Sequence, residues 1–143
     1  MIPQLPDAID QQTANWLYPP DTKAGGRPLI IYFWSVSCTI CKEKLPLLLD
    51  YAKYEGQFFD IVLVHVPRST TDLDEQLINN YVLDNGIELP VYLDQRHQMK
   101  NRFRVQKLPS IVLLDRNGRI RHIQSGGNFT TLLINQLDAL KYS

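Results

Sequence analysis

The run Leu29-Ile30-Ile31-Tyr32-Phe33-Trp34, followed within four residues by Cys38-Thr39-Ile40-Cys41, constrains the fold more than any other feature of the chain. Six apolar or aromatic residues after Pro28 show no alternation, so both faces of the segment must be covered, as in a central strand. From Thr39 the pattern changes. Leu45, Leu48, Leu49 and Ala52 recur at i, i+3, i+4 and i+7, which predicts a helix with Pro46 interrupting its bonding and kinking it. A buried strand therefore runs almost directly into a helix, with two cysteines at the junction.

These are the chain's only cysteines. Two thiols three residues apart close a disulfide only if the backbone turns, and the first turn of a helix supplies that turn. The same helix end points unpaired N–H groups and the positive pole of the helix dipole at Cys38, which favours its thiolate. The thiolate is the nucleophile in thiol–disulfide exchange, so strand, C-x-x-C and helix together point to that chemistry. As a structural brace so small a loop would contribute at most about 2 kcal/mol. As half of a zinc site it lacks partners, because no second C-x-x-C exists and His65, His97 and His122 are far apart in sequence. No metal or other cofactor is expected.

A chain of 143 residues with 44% hydrophobic content suits one domain with a real core. Fifteen basic residues balance fifteen acidic ones without long runs of either sign, so charge offers no reason to expect nucleic acid or an anionic membrane as partner. No segment approaches the about 20 apolar residues of a membrane span, and the first residues lack a basic stretch followed by an apolar one. A cytoplasmic protein is expected on that ground, the alternative being an exported or membrane-anchored protein whose leader lies upstream.

Along the rest of the chain, residues 8–17 suggest a short helix, and Pro19-Pro20 with Gly25-Gly26 a loop. Ile61 to Val66 reads as a second buried strand. Leu73, Leu77, Ile78, Tyr81 and Val82 mark one face of a further helix that Gly86 ends, and Pro90-Val91-Tyr92-Leu93 is a short strand candidate. A brief helix through Met99 and Phe103 leads to Lys107-Leu108-Pro109-Ser110 and the strand Ile111–Leu114. Asn117-Gly118 signals a hairpin to Ile120–Gln124, and a closing helix turns Leu132, Leu133, Leu137 and Leu140 inward. The sum is an α/β fold: a central mixed sheet, parallel early and antiparallel late, with helices on both faces.

Phe33-Trp34 before the cysteines, Cys38-x-x-Cys41, Pro46 five residues later, and Leu108-Pro109-Ser110 before a late strand stand in an order that resembles the thioredoxin-like superfamily. Within it the chain is similar to the thiol–disulfide oxidoreductases of the TlpA/ResA type, over about residues 14–140. The segment from about 69 to 94 corresponds to their helix–strand insertion. His65-Val66-Pro67-Arg68-Ser69, Asp72-Leu73-Asp74 and Arg121-His122-Ile123-Gln124-Ser125-Gly126-Gly127 resemble a leaderless cytoplasmic subgroup, the YkuV-like proteins.

The resemblance implies catalytic Cys38 and Cys41, and a cis Pro109 facing them. It also implies a substrate platform of Trp34, Leu108 and Pro109, in which the unpaired Leu108 backbone accepts an extended segment like an added strand. It implies disulfide-containing proteins as substrates and thioredoxin reductase as a possible electron donor. Two positions depart from the pattern. Where thioredoxin carries a buried acid six residues before its first cysteine this chain has Tyr32. Where ResA-like proteins often carry a glutamate three residues after the second cysteine it has Lys44. Lys42 and Lys44 flank the pair in sequence, and Arg68, at a strand's C-terminal end, is a candidate substrate contact. His65 and His122 are expected to be structural.

Rival readings fit less well. A thiol peroxidase of the peroxiredoxin type needs a proline where Ile31 stands, and copper delivery of the Sco type needs one more residue between the cysteines. A non-catalytic binding module has no need for both cysteines and Pro109.

Overall fold

The computed structural model describes residues 15–18 and 26–142. In chain order the elements are β1 (Trp16–Tyr18), β2 (Leu29–Trp34), α1 (Thr39–Glu55), β3 (Asp60–His65), a 3-10 turn (Thr70–Leu73), α2 (Glu75–Asp84), β4 (Val91–Leu93), α3 (Gln98–Arg102), β5 (Ser110–Leu114), β6 (Ile120–Ser125) and α4 (Thr131–Lys141). Among the described residues the strands form one sheet in the order β1-β4-β3-β2-β5-β6. Strands β2, β3 and β4 are parallel, whereas β5 runs antiparallel to β2, β6 to β5, and β1 to β4.

The unbroken apolar run of β2 follows from its place in the middle of this sheet. Ile30, Tyr32 and Trp34 face a layer built from α1, α2 and α4, where Leu45, Leu48, Ile78, Val82, Leu133 and Leu137 are buried. Leu29, Ile31 and Phe33 face the opposite layer with Met99 and Phe103 from α3 and its C-cap. Helix α1 thus lies on the same side as α2 and α4, and it continues through Pro46 to Glu55. The β5–β6 turn is drawn tight by Asp115, whose Oδ1 accepts from Asn117 N (2.9 Å) and Arg119 N (3.0 Å), while Gly118 takes the left-handed φ of 81° that the turn requires.

Some sequence expectations need correction. The helix expected over residues 8–17 ends in the described residues as strand β1, with Trp16 stacked edge-on against Tyr92 at 5.1 Å; its earlier part and the Pro19-Pro20 loop lie outside the described residues. The single helix expected from Leu73 onward is broken at Asp74, whose carboxylate caps α2 by accepting from Gln76 N at 3.0 Å. Leu73 and Leu77 are exposed, and so is Leu132, because its neighbour Leu133 takes the core-facing position in the first turn of α4.

Candidate active site

The junction of β2 and α1 carries the cysteines. Cys38 is the N-cap of α1 in extended conformation, and its sulfur takes the place of a capping oxygen, accepting the Cys41 N–H at 3.2 Å. The two residues are joined as a disulfide. They are not equivalent, since Cys41 is fully buried in the helix–sheet layer while Cys38 keeps a small exposed surface beside exposed Ser37, Thr39 and Ile40. Opposite the pair, the Leu108–Pro109 peptide bond is cis. The Leu108 carbonyl oxygen stands 4.0 Å from Cys38 Sγ.

A polar network lies directly beneath the three residues that precede Cys38. Asp72, fully buried in the 3-10 turn, receives on Oδ2 the Ser35 hydroxyl (2.8 Å), the Ser37 hydroxyl (2.7 Å) and the Arg68 N–H (2.8 Å). Burial would raise its carboxyl, but these hydrogen bonds, with His65 nearby, outweigh it and hold the group below the usual aspartate range. His65, fully buried at the end of β3, accepts the Val36 N–H on Nε2 at 3.0 Å. That bond requires a lone pair on Nε2, so the ring is neutral with its proton on Nδ1. Burial pushes its pKa down to about 4 against the opposing pull of Asp72. Arg68 donates from Nε to Ser37 Oγ (3.1 Å) and from Nη2 to Ser37 O (2.8 Å).

On the inner side, the Tyr32 hydroxyl donates to the Cys41 carbonyl at 2.8 Å. Burial, and then Tyr81, raise its pKa far above the ordinary tyrosine value, so at neutral pH this phenol braces the helix and does not carry protons away. Beside it Gly127 packs so closely on the base of the Lys44 side chain and on the Tyr32 hydroxyl that a Cβ there would collide with them. Lys42 lies over the ring of Tyr81 at 5.4 Å, bordering a cleft of 510 Å³ whose walls include Val36, Ser37, Asp72 and Leu77. Among the described residues no three His, Cys, Asp or Glu side chains converge as a metal site would require.

The geometry agrees with comparisons to known proteins. Residues 25–120 match the family model described as thioredoxin-like. The chain belongs to the thioredoxin-like family. It is 36% identical over 110 residues to the thiol-disulfide oxidoreductase YkuV of Bacillus subtilis (strain 168), covering 76% of this chain and 74% of that one. It is 30% identical over 112 residues to the thioredoxin-like protein SkfH of the same organism, covering 78% and 74%. The solution structure of a thioredoxin-like protein in the oxidized form superposes with a TM-score of 0.77 at 30% identity, covering 90% of this chain and 88% of the other.

Within this thioredoxin-like frame, the structure brings Cys38, Cys41 and Leu108 together and leaves two other residues elsewhere than sequence suggested. Trp34 has no exposed surface; its ring packs edge-on against His65 at 5.1 Å and tilted against Tyr81 at 5.6 Å, so it supports the site from behind and offers substrate no face. Arg68, read as a substrate contact, is spent on its own protein through Ser37. The Asp72–Ser35–Ser37 network was not legible from sequence. Its one signal is the pair of serines flanking Val36, in a run otherwise apolar up to Cys38.

Proposed function

We propose that this thiol–disulfide oxidoreductase works as a reductant of protein disulfides, with Cys38 attacking and Cys41 resolving. The Cys38 thiolate attacks one sulfur of a substrate disulfide, forms a mixed disulfide and releases the other sulfur as a thiolate. Cys41, deprotonated, then attacks the Cys38 sulfur, releases the second substrate thiolate and leaves the Cys38–Cys41 disulfide. Two electrons pass from the enzyme dithiol to the substrate. The observation that carries this assignment is the N-cap position of Cys38: its sulfur accepts the Cys41 N–H at a helix start, where negative charge is stabilised, whereas Cys41 is fully covered.

The Leu108 carbonyl, 4.0 Å from the same sulfur, favours a substrate segment lying extended along Leu108 and Pro109. Both cysteines of the chain are used in the redox pair, so the apolar core of the described residues is held without a separate structural disulfide. That supports a reducing, cytoplasmic setting, with a thioredoxin reductase restoring the dithiol. Cys41→Ser is expected to trap mixed disulfides with substrate proteins, and Cys38→Ser to trap none; the reverse pattern would exchange the roles. A reduction potential near thioredoxin's, about −270 mV, fits the reductant, whereas one near about −120 mV would make the protein an oxidant.

A further inference from the structure

We propose that Arg68 is a positioning residue for the exchange reaction: by gripping the hydroxyl and carbonyl of Ser37, it holds the loop that delivers Cys38 to the start of α1. This rests on Cys38 being the attacking thiol. The loop of residues 35–37 lies beyond the end of β2, yet side chains from the end of β3 and the segment after it hold every one of its residues. Asp72 takes the Ser35 and Ser37 hydroxyls, His65 takes the Val36 N–H, and Arg68 takes the Ser37 hydroxyl and carbonyl. Ser37 is the residue where these restraints meet, and its carbonyl belongs to the peptide whose N–H is that of Cys38. That N–H closes the turn by donating to Ser35 O at 3.0 Å. A shift of the Ser37 peptide therefore moves the cap of α1 and the sulfur with it.

The arrangement has a built order. Asp72 Oδ2 also accepts the Arg68 N–H at 2.8 Å, so one buried carboxylate sets both the loop and the start of the arginine that clamps it. The planar guanidinium suits this task because it offers two donors in a fixed relation, Nε to the hydroxyl and Nη2 to the carbonyl, which a lysine ammonium does not. The clamp also adds a positive charge one residue from Cys38. Among the described residues, the other charged or titratable groups that bond the loop or line the cleft beside it are Lys42 on α1, His65 and Asp72 beneath the loop, and Tyr81 and Asp84 on α2. Lys42 is directed to the Tyr81 ring, which leaves Arg68 as the cation bonded to the loop itself.

The test is the pH profile of iodoacetamide alkylation of the reduced full chain, with mass mapping of the modified cysteine. Arg68 is exposed, so Arg68→Ala is expected to keep the fold, as unfolding in urea will report. In that variant the midpoint for Cys38 moves up, and the rate well below it falls by roughly threefold to tenfold, as a rise of about half to one pH unit requires. Arg68→Lys, which keeps the charge but loses the fork, recovers only part of the rate. Arg116→Ala, which removes the same charge at the opposite end of the sheet, leaves the profile unchanged. An unshifted midpoint in Arg68→Ala, or full recovery in Arg68→Lys, overturns the proposal. Alkylation of Cys41 ahead of Cys38 in the unsubstituted protein would instead overturn the assignment of the attacking thiol, whatever Arg68 does.

Discussion

Acidification should destabilise this protein through one imidazole in a pH window of its own. His65 is fully buried and accepts the Val36 N–H on Nε2, so protonating it breaks that bond and places a charge in the core. Its pKa is about 4 in the folded chain against 6.5 ordinarily. The group is thus harder to protonate folded than unfolded. Below pH 6.5 the unfolded chain takes up a proton that the folded chain refuses, and stability falls with pH until the folded pKa is reached. The loss accumulated from pH 7 to pH 4 is about 3 kcal/mol. Asp72, whose carboxyl is held below its usual range, contributes stability that is lost only at lower pH still, so the two windows separate.

The assay is urea unfolding at pH 7, 6, 5 and 4 for the unsubstituted chain and for His65→Gln, whose amide oxygen can take over the Val36 N–H but does not titrate. Contributions of groups remote from His65 are common to both and cancel in the difference. The unsubstituted chain should lose about 3 kcal/mol more than the variant across this range. Parallel pH dependences would refute the reasoning, since they would mean that His65 titrates alike in both states.

Two further outcomes are expected. Tyr32→Phe removes the donor to the Cys41 carbonyl and should lower stability by about 1 kcal/mol in urea unfolding, without adding a new acid or base to the pH profile of exchange. Gly127→Ala would set a Cβ 2.5 Å from Lys44 Cβ and 3.3 Å from the Tyr32 hydroxyl, so it should destabilise the protein by about 1–3 kcal/mol, read from the same unfolding curves.

What the sequence determined by itself is local and ordered along the chain. An apolar run without alternation marked β2 as central, and a 3.6-residue repeat marked α1. The cysteine spacing at their junction named the chemistry, because each signal depends on residues within about one or two helical turns of one another. The order of Trp34, the cysteines, Pro46 and Leu108-Pro109-Ser110 then placed the chain in its family.

Tertiary structure decided what depends on distant partners. Strand β1 exists because Trp16–Tyr18 finds the free edge of β4, more than seventy residues away, and three residues carry too little pattern to announce it. Periodicity marked Leu73, Leu77 and Leu132 as apolar positions but could not say that the core would leave them exposed and take their neighbours Ile78 and Leu133. It was equally silent on Trp34, since an aromatic beside a site and one beneath it look the same in a string of residues. The loop ahead of Cys38 is the sharpest case. A carboxylate can be buried there only where several donors meet it, and those of Ser35 and Ser37 come from 37 and 35 residues earlier in the chain. Cysteine chemistry is written in four adjacent letters, whereas the grip of Asp72, His65 and Arg68 on that loop comes into being only when β3 lies down beside β2.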